Sequence, residues 1–442
     1  MPKTDTVQFW VLNLASFFSQ LVIAMINLAL VYHLRWTFGL RADQIGLAAS
    51  ITPAAYLVLC IVGSRYTPRF RPRHLVEVSL LGMALSIALL AATRTLAVAY
   101  LALVLFGSFM SLLWPQIEAW FSRGKEGAPL NRVVNAFNVS WSLGTGISSY
   151  IAGILIEVST TTAFVASIAV FVAVFMMIAI ASSLVPGIRA VDSERVANRR
   201  EQPVDQSTPL RFYSWAGIVT LYTGMSIVMT IFPLYAQDTL AISESTTGLL
   251  LLFRGMSTCV GFYLLGRFHF WHFKRRYIFT VQIAFGLLCL AAMGFSSPVP
   301  YALFFVLFGF LFAFAYSFYF NSVNWVLVAE IFPLDLRGVG VGFAVFTQGA
   351  TAIWLSYAAS IAFDEISWRF YFVFIACNLG AATVYYFFLP ETRFLSLEEV
   401  AAKFGDEVAP PVDSKLAEEE EREENGGKAD VAADHVEVSR RE

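Results

Sequence analysis

Charge is scarce in this sequence. Asp, Glu, Lys and Arg make up 14% of the 442 residues, where an ordinary soluble domain carries about 25%, which excludes a soluble globular protein. Cysteine is scarcer still: Cys60, Cys259, Cys289 and Cys377 each sit inside an apolar run, at no metal or redox spacing, so neither a disulfide framework nor a zinc site is expected. Histidines number five. No nucleophile, base and oxyanion set and no metal-ligand cluster occurs in the apolar segments, so an enzyme, a metal and a cofactor are not expected. Nor is a cleavable leader: the first apolar stretch, 8–34, exceeds a signal-peptide core, and no small-residue cleavage pattern follows it.

What is abundant is apolar. Hydrophobic residues make up 57% of the chain and Phe alone numbers 41. Runs of about 20 apolar residues, enough to cross about 30 Å of hydrocarbon, recur along most of its length. Twelve spans are predicted: 8–34, 44–63, 75–92, 97–120, 133–156, 163–185, 212–235, 246–266, 277–295, 300–326, 339–362 and 369–389. Between the sixth and seventh, the polar stretch from Pro186 to Arg211 carries Pro203, Pro209 and mixed charges and reads as a linker. The expected organisation is an all-α membrane protein: a six-helix bundle over 1–185, a linker over 186–211, a second six-helix bundle over 212–392 and a tail over 393–442. From Glu391 onward there are 16 acidic and 7 basic residues, a net of −9 that leaves the body at +7. That like-charge, aromatic-poor composition predicts a disordered tail.

Basic residues are distributed by side. If the N terminus is cytoplasmic, the loops on that side hold 17 Lys and Arg and the opposite loops hold four, Arg35, Arg41, Arg94 and Arg369. Positive charge resists translocation, so both termini are expected in the cytoplasm of a plasma or bacterial inner membrane. The halves also echo each other. Met25 and Met229 differ by 204 positions, Gly63 and Gly266 by 203, and Leu105-Phe106-Gly107 and Leu307-Phe308-Gly309 by 202. Each of these two glycines precedes a basic turn, with Arg71 and Arg73 in the first half and Arg275 and Arg276 in the second.

Polar groups inside a bilayer cost free energy unless they face a cavity or a partner. Asn13, Gln20 and Asn27 recur every seven residues on one face of the first span. Asn131, Asn135, Asn138 and Ser142 step by four, three and four in the fifth; Asn131 stands at the boundary and is left out of the candidate site. In the tenth, Ser317, Asn321 and Asn324 repeat the pattern beside Tyr316 and Trp325. Two readings are open: the stripes line one wet central cavity, or their amides join packed helices. Arg254 stands near the middle of the eighth span, where a guanidinium costs at least about 2.5 to 3.5 kcal/mol, and calls for a carboxylate, a carbonyl cage or an anionic substrate. Glu118 lies one turn from the cytoplasmic end of the fourth span, as a gate, a salt bridge or a proton carrier. Trp114, Trp141, Trp325 and Trp354 lie deep enough for an indole face to stack on a sugar ring or an aromatic drug, or to pack.

Twelve helices in two repeats, a central linker, and basic loops after the second and eighth helices resemble the major facilitator superfamily. That family's loop motif is degenerate here, with Gly63, Thr67 in place of Asp, Phe70 in place of Gly, then Arg71 and Arg73. The resemblance implies alternating access, two bundles rocking about a mid-membrane site. Trp325-Val326-Leu327-Val328-Ala329-Glu330-Ile331-Phe332-Pro333 with Arg337-Gly338, and Pro390-Glu391-Thr392-Arg393 before Leu395-Ser396-Leu397-Glu398-Glu399, are similar to sugar-porter motifs. That similarity implies an inner gate at Glu330 and Arg337 and a sugar contact at Trp325. The sixth and seventh spans depart from that branch.

The expected function is secondary transport of a small organic solute, a polar metabolite or sugar. Proton-linked export of amphipathic compounds and a non-transporting receptor are the alternatives. The expected substrate contacts are Asn13, Gln20, Asn27, Asn135, Asn138, Trp141, Arg254, Tyr316, Asn321, Asn324 and Trp325, with gating by Arg71, Arg73, Glu118, Glu330 and Arg337. The expected partners are the lipid bilayer, a small-molecule substrate and a coupled proton, for a monomer that binds no nucleic acid.

Overall fold

The computed structural model describes residues 3–64, 67, 70–122, 127–184, 221, 232–268, 275–292 and 294–317, with isolated positions between 375 and 387. A compact unit spans Met1–Arg393. The linker, the acidic tail, the eleventh span and most of the seventh and twelfth lie outside the described residues.

Within them the regular structure is helical: α1 Lys3–Phe38, α2 Ala42–Ser64, α3 Pro72–Ala92, α4 Leu96–Ser122, α5 Gly127–Val158, α6 Thr160–Leu184, α7 Glu244–Arg267, α8 Arg275–Ala292 and α9 Pro298–Tyr316. These are the first six and the eighth to tenth predicted spans. Eight of them are long and apolar enough to cross a membrane, and α8 is shorter, apolar over 276–292. The largest difference from the sequence reading is at the starts of α1 and α5, which begin five or six residues early. A helix continues past the apolar stretch into its polar flank because each added residue gains a backbone hydrogen bond.

Local chemistry fixes the ends. Pro72 and Pro298 open α3 and α9 at first-turn positions, where the missing N–H costs nothing. Ser243 caps α7, its side chain accepting from the Thr246 N–H. Pro53 and Pro115 lie inside α2 and α4, tolerated in spans where neighbouring helices satisfy the freed carbonyls.

The repeat is visible in the backbone. α1 ends in a left-handed Gly39, φ +67°, with the Leu40 N–H donating to the Leu34 carbonyl at 3.3 Å. At an offset of 202, Ala241 takes φ +49° and the Ile242 N–H donates to the Ala236 carbonyl at 3.1 Å. The same six-residue closure thus ends the first and seventh spans, with glycine in one copy and a strained alanine in the other. Packing repeats at the same offset: Gly107 lies directly on the Thr52 carbonyl of α2, and Gly309 on the Arg254 carbonyl of α7. The Leu-Phe-Gly echo is therefore one helix crossing made twice, α2 against α4 and α7 against α9. Because a left-handed L-residue costs about 1 kcal/mol, Ala241→Gly is expected to raise stability by about that amount and Gly39→Ala to lower it similarly. Thermal unfolding of the purified protein checks both.

Two seams place the centre of the molecule. α1 and α5 run parallel in a constant register: Asn13 faces Ser140, Phe17 faces Gly144 and Leu21 faces Ser148. α5 and α7 run antiparallel through small residues. Gly146 abuts Gly255, Gly248 abuts Ser149, and Gly153 abuts Glu244 and Ser245. Glycines seven apart on each helix let the backbones touch, the usual close-packing device of membrane helices. The outward face of α5 carries the exposed Tyr150, Ile151, Ile154 and Val158. Its inner faces are thereby committed to α1, α7 and the space between them.

Candidate functional site

The amide stripe of α1 divides by what covers it. Asn13 is buried, 5% exposed, donating from Nδ2 to the Phe9 carbonyl at 2.8 Å and accepting at Oδ1 from the Ser140 hydroxyl at 3.0 Å. Half-buried Gln20 donates from Nε2 to Thr145 Oγ1 at 3.2 Å. These two join α1 to α5, bonds worth about 0.6 kcal/mol each inside a membrane bundle. Asn27 stands differently: every other residue from Leu21 to Leu34 is buried, and Asn27 alone is exposed. An isolated exposed amide in a helix otherwise packed on all sides marks an opening rather than a lipid-facing stripe, since Ile23, Val31 and Leu34 on the same face are 5%, 3% and 0% exposed.

About three to four turns further inward, α5 carries an amide and a hydroxyl of its own. Asn138 is 4% exposed with Nδ2 lacking a hydrogen-bond partner, and Ser142, one turn on, is 1% exposed with an unpartnered hydroxyl. Buried polar groups without a partner are costly, and these two stand one turn apart on one face of α5. Trp141 lies between them, stacked on Tyr316 of α9 at 6.1 Å and 20°. Tyr316 also meets Phe262 of α7 edge-on at 5.4 Å and stacks on Phe312 at 5.9 Å. Thus Trp141, Tyr316 and Phe262 form an aromatic wall joining α5 to α7 and α9, contributed by both halves of the chain.

Arg254 is among the bulkiest fully buried side chains of the described residues, at 1% exposure. Its carbonyl accepts from the Ser257 and Thr258 hydroxyls at 2.9 and 2.8 Å, while Thr258 also donates to the Gly309 carbonyl at 3.2 Å. Helical geometry turns its side chain toward the α9 side of α7, away from the exposed face of Val260 and Leu264.

At the end of the molecule holding the α2–α3 loop, Arg71 is the exposed residue preceding α3, and Arg73 pairs with Glu77 at 3.6 Å. Glu118 lies in α4 and Asn135 in α5, their side chains outside the described residues, as are Asn321, Asn324, Trp325, Glu330 and Arg337. Ser140 and Thr145 of α5, which the sequence reading did not single out, hold Asn13 and Gln20 of α1. Arg35 and Glu157, read from sequence as a topology charge and not at all, turn out to bridge the halves at the opposite end. Among the described residues no group of His, Cys, Asp and Glu is arranged to hold a metal ion.

The chain resembles known proteins over most of its length. The major myo-inositol transporter IolT of Bacillus subtilis is 34% identical over 158 residues, covering 34% of this chain and 32% of that protein. The sugar transport protein MST6 of Oryza sativa subsp. japonica is 28% identical over 192 residues, 40% of this chain and 36% of that one. The chain thus matches only about a third of the length of these curated relatives. Among solved structures, the proton:xylose symporter XylE superposes with a TM-score of 0.65 at 14% identity, covering 90% of this chain and 99% of that one. The human organic anion transporter MFSD10 gives 0.63 at 15%, covering 87% and 100%. At such identities these structures speak for the fold alone. A family model matches residues 12–354 and, in a second match, 215–412. With the repeated helix crossings and the paired halves, that match establishes that the chain belongs to the Major Facilitator Superfamily.

Proposed function

We propose that this protein is a secondary transporter that moves a small polyhydroxylated solute, a sugar or polyol, by alternating access. One observation carries the reading: Asn27 opens the packed central helix α1 at a single point, level with the seam where the two halves meet. In the α1–α5 register Asn27 stands level with Ile154, so the unpartnered Asn138 Nδ2 and Ser142 hydroxyl, with the flat apolar face of Trp141 and Tyr316, would meet ring hydroxyls at a second, deeper level about 20 Å inward along the same path. The naming of IolT, MST6 and XylE for inositol, sugar and xylose supports this solute class. Asn135, Asn321, Asn324 and Trp325 complete the proposed site, with Arg71, Arg73, Glu118, Glu330 and Arg337 proposed at the inner gate. Asn13 and Gln20 act in this proposal through the α1–α5 seam, fixing the helix that presents Asn27.

The charge bias of the loops supports cytoplasmic termini. Phe38, Val158 and Glu244 then mark the outer end. Every carboxylate in the described helices stands within two turns of a helix end, so the proposal routes no proton through a mid-membrane carboxylate. Asn138→Ala and Asn27→Ala are each expected to weaken solute binding by about tenfold, the loss of one or two hydrogen bonds in a desolvated site. Quenching of tryptophan fluorescence on titration with myo-inositol, xylose and glucose checks it. Unchanged affinity in both variants, for a solute that wild type binds, would remove α1 and α5 from the site.

A further inference from the structure

Among the described residues, side-chain hydrogen bonds join the outer ends of the halves at two points. Arg35, in the last turn of α1, reaches Asp238 at the end of the helical segment 232–238 with both terminal nitrogens, Nη1 donating to Oδ2 at 3.0 Å and Nη2 to Oδ1 at 2.9 Å. Glu157, at the end of α5, accepts from the Ser245 backbone N–H at 3.2 Å. The first of these has a special position. In the 202-residue register set by the two left-handed caps, Asp238 is equivalent to Trp36, the neighbour of Arg35. Under a two-fold relation, only residues close to the axis meet their own equivalents. The pair therefore stands at the pseudo-axis, over the path between the halves.

The second contact joins two structural needs. The first N–H groups of α7 have no partner within the helix. Ser243 satisfies that of Thr246 at 3.3 Å from within the same half, and Glu157 satisfies that of Ser245 from the other half. A carboxylate is the favoured group at a helix N-terminus. Opening the outer face would strip this cap.

We propose that the Arg35–Asp238 pair and the Glu157 cap form a two-point latch holding the outer mouth shut, whose release sets how often the chain opens outward. The proposal rests on the transporter reading above for the meaning of opening. A charge placed only to set topology needs no partner; Arg35 has one in bidentate geometry, the arrangement that specifies direction as well as strength. At 33% and 40% side-chain exposure the pair is also weak enough to be remade in every cycle.

The test is hydrogen–deuterium exchange of the full chain in nanodiscs, followed over residues 31–38 and 236–248. Arg35→Gln, Asp238→Asn and Glu157→Ala are each expected to speed exchange there by roughly threefold to fivefold, with the rest of the chain unaltered. The swapped pair Arg35→Asp with Asp238→Arg is expected to return exchange toward the wild-type rate. Wild-type exchange in Arg35→Gln and Glu157→Ala, or a swap as fast as the single variants, would overturn the latch. The readout needs no solute, so a latch that behaves as expected in a protein that moves nothing would leave this inference standing and remove the transport reading.

Discussion

Gly255→Leu is expected to abolish transport and to destabilise the protein by at least about 3 kcal/mol, the upper end of what overpacking costs where neighbours can yield. Here they cannot. A Cβ at 255 would fall on the Gly146 Cα, and one at 146 would lie 2.9 Å from the Gly255 Cα, so each side chain meets backbone rather than a rotatable group. The seam between α5 and α7 joins the halves, and a wedge there separates the elements that carry Trp141, Phe262 and Tyr316. Gly286→Ala provides the comparison: among the described residues its Cβ would meet only Ile375 Cγ2, at 3.7 Å. That change is expected to be neutral or slightly stabilising, as glycine to alanine within a helix usually is. Solute flux and thermal unfolding measured on both variants check the contrast.

Arg254→Ala is expected to reduce flux by at least tenfold, and Arg254→Lys to do the same with little change in thermal stability. The argument lies in the repeat. Gly107 on the Thr52 carbonyl and Gly309 on the Arg254 carbonyl are the same helix crossing, so the crossing itself is served by a threonine in the first half. A guanidinium at mid-membrane costs at least about 2.5 to 3.5 kcal/mol, and packing alone does not call for it. The lysine variant keeps charge and stem but loses the planar fork, which separates a role for the guanidinium from bulk. Wild-type flux in Arg254→Lys and Arg254→Ala would reduce the residue to packing.

How far the sequence led depended on the range of the interaction. Helices were legible because an apolar run of span length has one favourable fate in lipid, and the Leu-Phe-Gly echo was legible because a close crossing demands glycine in both copies. The heptad Asn13, Gln20, Asn27 shares one face by its spacing, yet spacing says nothing of what covers a face: Ser140 and Thr145 of α5 cover the first two, whereas Asn27 is exposed. The glycines at 146, 153, 248 and 255 carried a readable seven-residue spacing whose meaning appears only when α5 is laid against α7. Arg35 looked like a topology charge because its partner lies 203 residues away. Long-range pairings of this kind are set by tertiary packing and leave no local mark.

The central claim is that solute passes through this chain by alternating access, and counterflow addresses it most directly, because exchange requires alternating access but no energy source. Proteoliposomes preloaded with unlabelled myo-inositol, xylose or glucose receive the labelled solute outside. The account predicts a transient overshoot for at least one of them, abolished by excess unlabelled solute and absent in Gly255→Leu. Binding of these solutes without any overshoot, in folded wild-type protein, would contradict it and make the chain a receptor on a transporter fold.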